Sequence, residues 1–206
     1  ITVINNGLDA QEFCPIPNST RNKNRLITTA SADVPLKGLD YSLKALKLLK
    51  KDNPKMHLVV IGNYKKNGHT ERLIKKLGIE QDVIFKKNIS KDEIKKLYSS
   101  SSIAIVSSLY EGFGYPVIEA MSCEVPIIAT NVSSIPELVS DFGTLIEPKN
   151  ENQLKRSIIK VMQNYDHFKD IAIKGRQHVI ETFNWSKITS EYEKIIYETV
   201  DRFKKC

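Results

Sequence analysis

The chain has 206 residues, with 31 Lys+Arg against 24 Asp+Glu for a net charge of +7, and is 41% hydrophobic. At about 150 residues per domain that length holds one large domain, and the ordinary apolar share excludes disordered and collagen-like chains. No run approaches the roughly 18 apolar residues of a membrane span, and Cys14, Cys123 and Cys206 have neither disulfide-framework nor metal-ligand spacing, which suits a reducing cytosol.

In chain order, the sequence opens at Ile1 without a basic-then-apolar leader, so it is expected to start inside a longer protein. Short apolar, β-rich runs at 25–29, 57–61, 83–85, 103–106, 126–129 and 144–146 predict strands. Between the first two, Leu39, Leu43, Leu46 and Leu49 recur at helical spacing. Segments 72–77, 92–98, 117–121 and 135–139 predict shorter helices. After Glu147 the strands stop, and 151–164, 166–182 and 185–204 predict helices. In the last of these Trp185, Ile188, Tyr192, Ile195, Thr199 and Phe203 form a stripe expected to be core.

Strand–helix alternation requires crossover connections, so the expected fold is α/β: a doubly wound, Rossmann-like parallel sheet of about six strands with helices on both faces. Ligands of such sheets bind beyond the carboxyl ends of the strands. The segments that matter are therefore 31–38, 62–68, 87–90, 107–116 and 130–135. No G-x-G-x-x-G follows the first strand and no Walker loop is present, which disfavours an ordinary NAD or ATP domain. The lysine pairs are scattered among Asp and Glu and not clustered with aromatics, so nucleic-acid binding is not expected.

Two features carry chemistry. Lys37-Gly38 immediately precedes a helix, where a cation beside bare backbone amides can hold a phosphate. Taken alone, the simple alternative, a helix start that happens to contain Lys, is the stronger. Glu111-Gly112-Phe113-Gly114-Tyr115-Pro116-Val117-Ile118-Glu119 follows the fourth strand, with Pro116 suited to a first helical turn. Gly112 and Gly114 leave amides accessible, and Glu111 and Glu119 are expected to face one ligand-binding edge, where carboxylates accept hydrogen bonds from sugar hydroxyls. The simple alternatives are a tight turn and macrodipole complementarity. His57, His69, His167 and His178 lack metal-ligand spacing, no Asp-x-Asp occurs, and no nucleophile elbow surrounds Ser107-Ser108.

At these residues the chain resembles the C-terminal, nucleotide-sugar-binding half of the retaining GT-B glycosyltransferases of family four, also called group 1. The resemblance covers nearly the whole chain: Asn6-Gly7-Leu8-Asp9, Phe13, Pro15, Lys37-Gly38, Glu93, Leu97-Tyr98, Ser108-Leu109-Tyr110, the Glu111–Glu119 segment, Pro126-Ile127-Ile128-Ala129-Thr130 and Pro136-Glu137. It implies that Lys37 neutralises the donor diphosphate and that Glu111 positions the donor sugar. It implies further that Phe113 and Gly114 offer backbone amides, that Val117 and its helix start meet the phosphates, and that Glu119 grips the ribose. Asn88 and Ile89 would border the base, with Ser31, Gly38, Gly62, Gly112 and Tyr115 completing the donor site. The implied reaction retains anomeric configuration by same-face attack and needs no metal or other cofactor. The implied partners are the nucleotide-sugar donor and an N-terminal acceptor-binding lobe outside this chain, with residues 1–20 as linker and 184–206 reaching back toward that lobe. Expected localisation is cytoplasmic, with peripheral membrane contact in the full-length protein.

Two departures stand out. The family's common diphosphate-binding Arg shortly before Lys37 is absent from Ser31-Ala32-Asp33-Val34-Pro35-Leu36, which points to a variant cradle using Ser31 and backbone amides. A common Gly before the base-binding segment is Lys87. The alternatives are a GT-B epimerase, a phosphorylase-like enzyme and a non-catalytic module binding sugar nucleotides or anions.

Overall fold

The computed structural model describes residues 2–204, the last two by backbone alone. The strands are β1 (Asn22–Thr29), β2 (His57–Ile61), β3 (Val83–Lys86), β4 (Ser101–Val106), β5 (Ile127–Thr130) and β6 (Thr144–Ile146). All pair in parallel, in the order β3-β2-β1-β4-β5-β6. This is the doubly wound arrangement, and the strand order reverses between β1 and β4. The expected fold class is therefore the one observed.

The helices are α1 (Leu39–Leu49), α2 (His69–Leu77), α3 (Lys91–Ser99), α4 (Tyr115–Ser122), α5 (Ile135–Val139), α6 (Glu151–Gln163), α7 (Tyr165–Thr182) and α8 (Trp185–Lys204). Strand side chains alternate between two faces, and the sheet consequently has two cores. Leu26, Leu58, Val60, Ile103, Ile105 and Ile128 face Leu43 and Leu46 of α1, Ile74 of α2 and Leu154 and Ile158 of α6. On the other face Ile27, Val59, Ala104, Val106 and Ile127 meet Tyr98 of α3, Val117 and Met121 of α4, Leu138 of α5 and Val179 of α7. β4 is buried along its whole length, as a central parallel strand must be.

Boundaries differ from expectation for physical reasons. β1 begins three residues early because polar Asn22, Lys23 and Asn24, which carry no apolar signal, pair toward Ser101 at an irregular register. β5 begins at Ile127 because Pro126 has no N–H, although its carbonyl still accepts from the Ala104 amide at 2.9 Å. Before β1, Arg21 extends its guanidinium to the carbonyls of Tyr98, Ser101, Cys123 and Glu124 at 2.7–3.1 Å, joining the ends of α3 and α4 to the sheet.

The expectation for the α8 stripe is overturned. Only Ile188 is buried; Trp185, Tyr192 and Thr199 are exposed and Ile195 is half-buried, while the Phe203 side chain lies outside the described residues. Both sheet faces are already filled by the preceding helices, so α8 is anchored at its start and leaves its apolar side open. Among the described residues, no helix is long and apolar enough to cross a membrane.

Candidate functional site

Because every strand runs the same way, the connections after β1, β2, β3, β4 and β5 collect at one edge. The five segments expected to matter lie there. The loops on either side of the β1/β4 switch point are tied together. The Leu109 amide donates to the Leu36 carbonyl at 2.7 Å, and the Ser107 hydroxyl donates to the Gly38 carbonyl at 2.9 Å. Gly38 sits at φ +61°, and a Cβ there would lie 1.9 Å from the Ser107 carbonyl oxygen. Glycine is required by the backbone conformation and by the close approach together.

That crossing brings Lys37 to Glu111. The Lys37 Nζ donates to Glu111 Oε1 at 2.7 Å, with the lysine one-third exposed and the carboxylate only 8% exposed. The Ser108 hydroxyl donates to the same oxygen at 2.8 Å. The loop backbone is held from below, since the Ser134 hydroxyl donates to the carbonyls of Glu111 at 3.1 Å and Phe113 at 2.6 Å. Thr130 in turn donates to the Ser108 carbonyl at 2.5 Å. The carbonyls of Ser108, Glu111 and Phe113 are thus occupied. Among the described residues the amides of Gly112, Phe113 and Gly114 have no protein acceptor. Gly114, in the left-handed region at φ +110°, caps α4, and Pro116 occupies its first turn as expected. A helix N-terminus with no side-chain cap and with spare amides beside a lysine attracts an anion.

The remaining expected residues divide. Tyr115 is exposed at the helix start, and the Phe113 ring packs edge-on against Tyr115 and Phe183. The Val117 amide donates to the Gly114 carbonyl at 2.9 Å and its side chain is fully buried, so Val117 sits inside the first turn of α4. Glu119 is half-buried and faces Tyr98, whose hydroxyl donates to Glu119 Oε2 at 3.3 Å. Burial pushes the Glu119 carboxyl above its usual range, opposed by the Tyr98 hydroxyl and by Lys91. Glu111 and Glu119 therefore have separate hydrogen-bond partners.

Ser31 lies at the end of β1, where its oxygen is 3.4 Å from the Asn63 amide. Gly62 backs onto the Ala30 carbonyl, and its amide donates to the Lys86 carbonyl at 2.9 Å. Asn88 is exposed, and Ile89 packs against the α4 face of the core. A cavity of about 630 Å³ opens next to this edge, between the loops before α1 and α2, lined by Asp33, Asp40, Lys65, His69 and Arg72 among others. It contains Gly38 but neither Lys37 nor Glu111. Several of its polar groups are partnered within the protein: His69 is 2.7 Å from Asp40, Asp33 exchanges hydrogen bonds with Thr70, and Arg72 donates to the Asn67 carbonyl at 2.7 Å.

Sequence reasoning did not single out Ser134, and named Ser108 and Tyr98 only as parts of the family resemblance, with no supporting role. The signal for Ser134 was its place directly before the Ile135-Pro136 helix start, and for Ser108 and Tyr98 their place in the family resemblance. Among the described residues, no group of three His, Cys, Asp or Glu side chains is placed to hold a metal. Cys14 and Cys123 are free thiols, and burial pushes Cys123 up to about 12; Cys206 lies outside the described residues.

Comparison with known proteins gives the family and the fold. The chain is 31% identical over 203 residues to an MMP alpha-(1->4)-mannosyltransferase of Mycolicibacterium hassiacum, covering 97% of this chain and 49% of that protein. Among solved structures it resembles the C-terminal domain of the glycosyl transferase group 1 family protein LpcC from Francisella tularensis. There the TM-score is 0.74 and the identity 26%, over 87% of this chain and all of that one. It also superposes on Anabaena Alr3699/HepE in complex with UDP-glucose, with TM-score 0.83 and 21% identity over 96% of this chain and 57% of that one. The chain spans about half the length of the first of these relatives. Residues 12–178 match the family model described as glycosyl transferases group 1, and the chain belongs to that family.

Proposed function

We propose that these residues form the donor-binding lobe of a retaining glycosyltransferase. It would move a sugar from a UDP- or GDP-linked donor to a glycan, lipid or small-molecule acceptor. The observation that carries this reading is the meeting of Lys37, Glu111 and the unengaged amides of Gly112–Gly114 at the α4 N-terminus. A cation and bare amides suit a diphosphate, and an almost buried carboxylate beside them suits sugar hydroxyls. That Anabaena HepE, a relative in fold, is described with UDP-glucose supports a nucleotide-sugar donor here.

In the proposed reaction the anomeric C–O bond breaks toward the diphosphate, which departs with the electron pair. Lys37 and the α4 amides stabilise the charge that develops on it. The acceptor oxygen attacks from the same face, and its proton leaves with the phosphate oxygen. Glu111 orients the sugar, and its hydrogen bonds to Lys37 and Ser108 favour a positioning role over that of a nucleophile. Glu119 accepts from the ribose, and Asn88 and Ile89 border the base. No metal is required. Acceptor recognition and any general base belong to a second lobe, so this chain alone binds donor weakly and does not turn over. The full-length enzyme works in the cytoplasm, in peripheral contact with a membrane. Titration calorimetry with UDP, GDP and their sugars, on this chain and on the full-length protein, is expected to detect one nucleotide series. No binding by either would overturn the proposal.

A further inference from the structure

We infer that Tyr98 is a positioning residue for donor binding, which locks Glu119 in the orientation that accepts ribose hydroxyls. This rests on the donor-site reading of Glu119 and adds a residue that touches no substrate. Tyr98 lies on α3, away from the loops at the sheet edge, and is 1% exposed. Its hydroxyl sits 3.0 Å from Thr29 Oγ1, at the end of β1, and 3.3 Å from Glu119 Oε2, on α4.

The direction of these bonds follows from counting protons. A phenol has one hydrogen to donate, and a carboxylate can only accept. The Tyr98 hydrogen therefore points at Glu119, and Thr29 donates to the Tyr98 oxygen. The relay runs Thr29 to Tyr98 to Glu119 and ties the first strand to the donor helix. It engages Oε2 and leaves Oε1 as the oxygen available to a ligand. Burial pushes the Tyr98 hydroxyl well above its usual range, so it stays a donor across the working pH. A hydroxyl whose only task was to fill space here would be replaceable by hydrogen; one that aims a carboxylate would not.

The test compares Tyr98→Phe, Thr29→Val and Glu119→Gln in the full-length protein, using UDP and GDP beside their 2′,3′-dideoxy counterparts. Wild-type protein should prefer the ribonucleotide, and Glu119→Gln should erase that preference. Tyr98→Phe should weaken ribonucleotide binding about tenfold while dideoxynucleotide affinity stays unchanged, and Thr29→Val should do the same to a smaller extent. In turnover, the donor KM should rise with kcat held. If Tyr98→Phe lowers both affinities equally, or neither, while Glu119→Gln erases the preference, Tyr98 is not a positioning residue and the donor site stands. If Glu119→Gln leaves the preference intact, the ribose role of Glu119 fails and the inference with it. Should Tyr98→Phe not fold, Thr29→Val decides: an unchanged preference in that variant overturns the inference.

Discussion

Replacing Gly38 by alanine tests whether the two loops of the site really cross where Lys37 meets Glu111. An L-residue at φ +61° carries a conformational cost of about 1–2 kcal/mol. The added methyl would also sit 1.9 Å from the Ser107 carbonyl oxygen, a backbone atom that cannot swing aside. Relieving that overlap separates the loops, loosens the 2.9 Å bond from Ser107 to the Gly38 carbonyl and the 2.7 Å bond from Leu109 to Leu36, and adds strain of about 1–3 kcal/mol. The total is about 2–5 kcal/mol, which urea denaturation should read as a lower midpoint at unchanged slope. Gly112→Ala is the internal control, because a Cβ there meets nothing within 4 Å; its stability change should stay below about 0.5 kcal/mol. Equal stability of the two variants would refute the crossing.

Arg21→Met should be among the most damaging changes outside the site, because one guanidinium serves four carbonyls. The expected loss is about 3–5 kcal/mol, read by calorimetry as a fall in Tm of roughly 10 °C. Lys37→Met strands a carboxylate that is 8% exposed, so it should destabilise by about 1–2 kcal/mol. Adding Glu111→Gln should restore part of that, a coupling of about 0.5–2 kcal/mol by double-mutant cycle. Glu119 titrates above the usual carboxylate range because burial outweighs its hydrogen bond from Tyr98. Between the ordinary and the raised value the folded state holds a proton that the unfolded chain has lost, so stability falls as pH rises through that window. Donor binding, which needs the carboxylate, should conversely fade as pH drops through the raised value, and Glu119→Gln should abolish this acidic limb.

Much of this was legible in the sequence because both signals are local. Strands buried on two faces read as short apolar runs, and α1 announces itself through leucines four and three residues apart. The Lys37-Gly38 and Glu111–Glu119 segments follow strand ends, and in a parallel sheet all such ends share one edge. What could not be read depends on neighbours distant in sequence. The polar start of β1 is a strand only because β4 is beside it. The α8 stripe has the period of a core helix, but a stripe does not reveal whether any face remains for it to cover. Ser134 and Tyr98 support the site through side-chain hydrogen bonds that leave no trace in periodicity.

The most direct measurement is a structure of the full-length protein with its nucleotide-sugar donor bound. The diphosphate is expected within hydrogen-bonding distance of Lys37 Nζ and the amides of Gly112–Gly114, with the sugar against Glu111 and the ribose against Glu119. A donor seated instead in the neighbouring cavity, with its phosphates on Lys65, His69 and Arg72, would contradict the proposed site.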